Sequence, residues 1–162
     1  MGRFVAQPAG VSKTVLDSQG QPFAELDYRT AEHAEVVLKG GHRIRVTLAH
    51  FAAGHGSGPL RLAMKSDEVF LEKRVTTIDG IDLGEVVAVA RAPDGTVEAL
   101  VAVRADNGEA LAVAPGMVRE VATHIILEPN EQEVREAQGA TSKHPAVAQA
   151  LVLARKVGPR HR

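Results

Sequence analysis

The chain of 162 residues contains no cysteine and no tryptophan, and aromatic residues make up only 3% of it. Without cysteine there can be no disulfide, no thiolate nucleophile and no cysteine-ligated metal, and this composition fits a reducing compartment. Surfaces that stack on exposed bases normally need several aromatic side chains, so binding of single-stranded nucleic acid by stacking is not expected. No apolar run is long enough to span a bilayer, and the first residues lack the apolar segment of a signal peptide. We therefore expect a cytoplasmic protein.

Neither sign of charge is in excess. The 19 basic and 20 acidic side chains give a formal net charge of −1, so bulk electrostatics would not attract the chain to a polyanion. The hydrophobic share of 44% is ordinary for a globular protein. With so few aromatics, the core must be built from Val, Leu, Ile and Ala.

A short internal repeat organises the chain. The stretch Gly80–Val86 (GIDLGEV) has the same order of residue types as Gly20–Leu26 (GQPFAEL), 60 positions earlier. Short runs with strand-like alternation surround both stretches, and turn residues recur about every ten positions. The alternation is clearest where Ile44, Val46 and Leu48 point to one side and polar residues point to the other. This pattern is typical of small barrels or a sandwich.

The C-terminal part has helical features. Asn130 and Glu133 have the spacing of a capping box, and Gly139 can end the helix that follows. Thr141 or Ser142 can cap a second helix. An apolar stripe then follows at helical spacing and can dock either on the rest of the chain or on a partner; its main members are Val147, Leu151 and Ala154.

Three consecutive segments of the second half carry a family resemblance: Thr77–Val86, Pro93–Val101 and Leu111–Pro115. They contain, in order, a glycine turn, Leu-Gly-x-Val, a strand, an Asp-Gly turn, an apolar strand and a short strand ending at proline. This order resembles the PRC-barrel family, most clearly in residues 75–118. Residues 12–71 resemble the family only as a degenerate copy, because Ala24 replaces the usual glycine and the Asp-Gly hairpin is missing.

The resemblance implies a small, strongly bent β-barrel that acts as a binding or assembly module and has no catalytic residues defined by the family. Such barrels occur in the photosynthetic reaction-centre H subunit and in the ribosome maturation factor RimM. We expect a mainly β protein with two tandem small β-barrel modules followed by one or two C-terminal α-helices. The expected divisions are a lead-in (1–11), a first module (12–71), a PRC-barrel-like module (72–128) and a helical segment with a basic tail (129–162).

Chemistry-bearing residues are present, but none forms a strong motif. His42, His50 and His55 lie on or near one hairpin, yet metal sites usually need three or four convergent ligands, and no metal or cofactor is expected. Glu25 and Glu85 occupy matching positions of the repeat. They could act as acid or base if buried, but charges on a solvent face are the better interpretation.

Two groups of basic residues could bind RNA or an acidic surface. Arg43 and Arg45 share one strand face, and Arg61 is expected nearby; a solvated strand face is the competing interpretation. The C-terminal cations could bind nucleic acid or anionic lipid, or could simply favour the negative end of a helix dipole. They include Arg155, Lys156 and Arg160.

Three functions of different classes follow from these observations. The first is a non-enzymatic scaffold or adaptor that joins a larger protein assembly and can form homo-oligomers. The second is an RNA- or ribosome-associated factor similar to the RimM barrel domain. The third is a small metal-dependent hydrolase that uses the histidine-rich hairpin.

Overall fold

The computed structural model describes residues 13–52 and 60–157. Within them, ten strands come first and three helices follow. The strands are β1 (Thr14–Leu16), β2 (Pro22–Arg29), β3 (His33–Leu38), β4 (Arg43–Thr47), β5 (Arg74–Thr76), β6 (Asp82–Arg91), β7 (Val97–Val103), β8 (Ala110–Val113), β9 (Val118–Val121) and β10 (Ile125–Leu127). The helices are α1 (Glu131–Glu136), α2 (Gln138–Thr141) and α3 (Pro145–Val157). The mainly β class with C-terminal helices is therefore confirmed.

All ten strands belong to one sheet, in the order β1-β2-β3-β4-β9-β10-β5-β6-β7-β8. Strands β1–β4 and β5–β8 are two antiparallel meanders, and the β9–β10 hairpin lies between them. β4 runs parallel to β9, and β5 runs parallel to β10. The sheet is open, with β1 and β8 at its edges, so two separate closed barrels are not confirmed. The physical reason is that the β9–β10 hairpin joins the two meanders through its backbone hydrogen bonds.

The 60-residue repeat is visible in the strand pairing. Every pair in the β1–β2 ladder has a counterpart 60 positions later in the β5–β6 ladder, including a register shift at the same place. The matched pairs are Thr14–Glu25 with Arg74–Glu85, Val15–Ala24 with Val75–Gly84, and Leu16–Pro22 with Thr76–Asp82. The turn after each first strand also repeats: the N–H of Asp17 donates to the carbonyl of Gln21, as the N–H of Thr77 does to that of Ile81.

The correspondence extends beyond the segment found in the sequence. The 3-10 turn Leu48–His50 corresponds to Pro115–Met117, and each is followed by an antiparallel bridge, Phe51 with Leu62 and Val118 with Leu127. A capping box at Lys65 and Glu68 matches the one at Asn130 and Glu133. The part of the chain expected to be degenerate thus keeps the local geometry of the second copy. The first copy forms isolated bridges at Arg61 and Leu62, where the second copy has β10.

One hydrophobic core lies on the inner face of the sheet and takes residues from both copies. Val36 and Ile44 from the first copy and Leu83, Leu100 and Leu127 from the second are almost completely buried. The expected aliphatic composition holds, with one aromatic contact between Phe23 and Phe70 at a centroid distance of 6.3 Å. Because both copies contribute to one core, neither can bury its apolar face without the other.

The helical segment begins as predicted and then differs. Asn130 caps α1 through the N–H of Glu133, which confirms the capping box. Gly139 does not end this helix; it lies inside α2, because the chain makes a further short turn there. Thr141 is the last residue of α2, and α3 begins only at Pro145, so neither Thr141 nor Ser142 lies at the start of the second predicted helix.

Candidate functional site

The two copies of the repeat differ most on their outer faces. In the second copy, α3 packs across β6, β7 and β8 and forms a second apolar cluster with them. The strand positions under the helix carry small apolar side chains, such as Val101 on β7 and Ala112 on β8. The register places Glu35 and Arg45 at the equivalent positions of the first copy. Charged side chains thus replace the apolar surface on which a helix packs.

We call the outer face of β2, β3, β4 and β9 the open face. Its members alternate with core residues such as Val36 and Ile44, so their side chains point away from the core. The members are Glu25, Asp27, Tyr28, His33, Glu35, Val37, Arg43, Arg45, Thr47 and Glu120.

A row of side chains crosses the open face from strand to strand. Tyr28 on β2 pairs with Glu35 on β3, Glu35 pairs with Arg45 on β4, and Arg45 pairs with Glu120 on β9. Directly opposed residues of neighbouring strands lie close enough for their side chains to interact. Tyr28, the single tyrosine of the chain, is 48% exposed. The row therefore combines an exposed aromatic ring with alternating charges.

The arginines of the open face are paired with acids. Arg43 forms an ion pair with Asp27, and the Nε of Arg45 lies 3.4 Å from a carboxylate oxygen of Glu35. The hydrogen bond with Glu35 raises the pKa of Arg45. The face carries four carboxylates and two guanidinium groups, a formal charge of −2. Its electrostatics are those of a mixed, slightly acidic surface, which favours a protein partner over a polyanion.

The other basic residues singled out in the sequence lie elsewhere. Arg61 is beside the β1 edge, where it donates to the backbone carbonyl of Asp17, so it does not extend the open face. Arg155 and Lys156 are exposed in the last turn of α3. Arg160 lies outside the described residues.

The apolar stripe of α3 contacts the chain itself. Val147, Leu151 and Ala154 are each 5% exposed or less and pack on the small side chains of β6, β7 and β8. The sequence left two alternatives, packing on the chain or docking on a partner, and in this structure the three residues contact their own sheet.

The histidines and glutamates considered for chemistry are separated from one another wherever the structure describes them. His50 is buried, with Nδ1 3.0 Å from the carbonyl oxygen of Thr47, and burial lowers its pKa. His42 is exposed, and its ring faces Gly116; His55 lies outside the described residues. Glu25 is exposed and accepts a hydrogen bond of 2.7 Å from the hydroxyl of Thr14. Across residues 13–52 and 60–157, no three acidic or histidine side chains are placed to hold a metal ion.

A cleft of about 470 Å³ marks the seam between the two copies. Phe23 and Leu38 line one side, and Val97 lines the other. Its two cations are used internally: Arg91 donates to Asp67 and to the carbonyl of Gly95, and Lys39 donates to the carbonyl of Asp94. Both cations of the cleft are therefore held by contacts within the chain, and these contacts link the two copies.

Two polar residues with important structural roles were missed in the sequence. The carboxylate of Asp17 is 3% exposed and accepts from the N–H groups of Gln19, Gln21 and Ser66 and from the Ser66 hydroxyl, at 2.9–3.0 Å. Burial alone would raise the pKa of Asp17, but these hydrogen bonds outweigh it and lower the pKa. An Asp-x-x-Gly turn was visible in the sequence, whereas the contact with Ser66, 49 positions away, was not.

The second missed residue is Gln138, which covers the edge of the sheet. Its side-chain amide accepts from the N–H of Ala112 at 2.8 Å and donates to the carbonyl of Ala112 at 2.7 Å. It thus makes the two hydrogen bonds that a neighbouring strand would make and blocks part of the β8 edge. No sequence signal identifies this role, because it depends on where α2 lies.

No family model matches the chain, and no curated protein sequence matches it. None of the described helices is long and apolar enough to cross a membrane.

Proposed function

We propose that the protein is a non-enzymatic scaffold or adaptor that joins a larger protein assembly through the open face. We further propose that the two copies of the repeat are tandem PRC-barrel-like modules that share one sheet. The proposed location is the cytoplasm. The observation that supports the scaffold function is the difference between the copies: the same framework holds α3 on one outer face, and none of the helices in residues 13–52 and 60–157 covers the equivalent face.

The side chains of the open face support a protein partner. Protein interfaces are enriched in tyrosine and arginine, and complementary charges determine which partner is accepted. The open face presents Tyr28 beside Arg43 and Arg45, with acids interleaved. A surface meant for RNA would carry unpaired cations, so the paired arginines favour the protein-binding function over the RNA-associated alternative.

The test is a pull-down of the full chain with mass spectrometry, using a charge reversal on the open face. Arg43→Glu reverses an exposed cation and repels Asp27, so we expect capture of the partner to be lost. Lys143→Glu makes the same charge change at an exposed position before α3 and serves as the control; we expect it to keep the partner. Circular dichroism spectra of both variants check that they are folded.

Three results would contradict the proposal. Equal capture by wild type and Arg43→Glu would place the interface elsewhere. Capture of ribosomal RNA that falls steeply with salt would favour the RNA-associated function. Hydrolytic activity that depends on an added divalent metal would favour the enzyme.

A further inference from the structure

Two exposed apolar patches stand out from the rest of the surface. Five large hydrophobic residues are exposed among those described, and four of them fall into two pairs. Ile78 and Ile81 lie in the turn between β5 and β6, at 51% and 38% exposure. Val152 and Leu153 lie on α3, at 48% and 55%. Single exposed apolar residues are common, but paired ones point to a contact.

The first patch, the isoleucine turn, consists of Ile78, Asp79, Ile81 and Glu128. The N–H of Ile78 donates to the carbonyl of Pro129, which brings Glu128 close to the turn. The first copy forms the same turn with the same backbone hydrogen bonds but has Ser18 and Gln21 in place of the two isoleucines. The turn therefore does not need isoleucine for its own geometry.

The second patch, the helix tip, consists of Val152, Leu153, Arg155 and Lys156. Val152 and Leu153 are not among the residues that dock α3, since the buried stripe of the helix is formed by others. α3 contains no acidic residue, and both of its cations lie in its last turn. The helix tip is thus apolar and basic, whereas the isoleucine turn is apolar and acidic.

We propose that the isoleucine turn of one copy of the chain docks on the helix tip of a second copy. The two patches match in both respects that decide an interface: apolar side chains meet apolar side chains, and Asp79 and Glu128 meet Arg155 and Lys156. Because the patches are different, the contact is heterologous. A single such contact builds a ring or a longer chain, whereas two of them related by a two-fold axis give an isologous dimer. This proposal rests on the scaffold function, since it identifies one of the partners as the chain itself.

Sedimentation equilibrium of the full chain over a concentration series tests the proposal. Two small patches make a weak interface, so we expect a Kd of roughly 10 µM to 1 mM that rises with salt. The double variant Ile78→Ser/Ile81→Gln copies the turn of the first copy and should raise Kd at least tenfold. Lys143→Glu changes an exposed residue outside both patches and outside the open face, and should leave Kd unchanged.

A charge-exchange experiment keeps the test decisive if the isoleucine variant folds poorly. Glu128→Lys and Arg155→Glu/Lys156→Glu should each weaken self-association. A mixture of the two should associate more tightly than either alone, because the altered turn of one then faces the altered helix tip of the other.

Three outcomes would overturn the inference: a wild-type chain that stays monomeric at the highest concentration, an isoleucine variant with unchanged Kd, or a mixture that gains nothing. The Arg43→Glu pull-down separates this failure from that of the scaffold function. A monomer that still captures a foreign protein through the open face refutes only the self-association. A monomer that captures nothing refutes both.

Discussion

Replacing Gly84 with alanine is expected to destabilise the protein strongly. Gly84 has φ = +111°, and a Cβ placed there would lie 2.3 Å from the carbonyl oxygen and 2.4 Å from the carbonyl carbon of Val103. Contacts this short require backbone movement, because the atoms they involve belong to the neighbouring strand β7. The backbone conformation alone costs a non-glycine residue about 1–3 kcal/mol. Separating β6 from β7 weakens a ladder hydrogen bond worth about 1 kcal/mol.

The free energy of unfolding should therefore fall by about 3 kcal/mol, a large part of the roughly 5–15 kcal/mol typical of a native protein. For a chain of this length the midpoint temperature should fall by about 6–12 °C. Urea unfolding followed by far-ultraviolet circular dichroism measures the change, since the chain has no tryptophan and only one tyrosine for fluorescence.

Ala24→Gly is the matched control. Ala24 occupies the equivalent position of the first copy, is 6% exposed, and has no positive φ. Glycine there removes a buried methyl group and adds chain entropy in the unfolded state, at a cost of about 1 kcal/mol. The reasoning is refuted if Gly84→Ala lies within about 1 kcal/mol of wild type, or if Ala24→Gly is the more damaging change.

Three further predictions concern Asp17, His50 and Gln138, with stability measured by urea unfolding and, for the first two, at several pH values. Asp17→Asn should lower the free energy of unfolding by about 2–4 kcal/mol at neutral pH, because an amide cannot accept all four hydrogen bonds. Since the folded pKa of Asp17 is lowered, wild type should lose this advantage as the pH falls below about 4. A difference between the two proteins that stays constant with pH would contradict the assignment. The folded pKa of His50 is also lowered, so the unfolded chain gains the proton first and wild type should lose stability relative to His50→Met as the pH falls below about 6.5. Methionine is chosen because Met117 occupies the corresponding position of the second copy. Parallel pH profiles of the two proteins would contradict this prediction. Gln138→Leu removes the hydrogen bonds to both backbone groups of Ala112 and should lower the free energy of unfolding by about 1–3 kcal/mol. It should also promote aggregation through the β8 edge, which light scattering would detect. A stable, unaggregated variant would show that this edge needs no cover.

Local sequence patterns predicted the local structure well. The offset of 60 between the two glycine turns corresponds to identical registers in the β1–β2 and β5–β6 ladders. The capping box at Asn130 and the apolar stripe containing Leu151 both lie in helices. These features depend on residues close in the chain, where spacing and side-chain type carry the information.

Long-range arrangement could not be predicted in the same way. The parallel pairs that β9 and β10 make with β4 and β5 involve short strands whose partners lie far away in sequence, and nothing in their composition specifies a partner. This is why separate barrels were expected where one shared sheet is found. The ion pairs of the candidate site could not be predicted for a related reason: Asp27, the partner of Arg43, lies on β2, and β3 separates the two strands in the sheet.

The strand pairing of β4 has a consequence for synthesis on the ribosome. Val46 on β4 pairs with Val121 on β9, 75 positions later. At a translation rate of about 5–20 residues per second, the growing chain waits roughly 4–15 s with this edge of the first meander uncovered. Throughout that interval, the first copy of the repeat is a nascent intermediate with an exposed template for mispairing. Chaperones that recognise unpaired strands would act in this window, and synonymous codons that slow translation between the two copies would lengthen it.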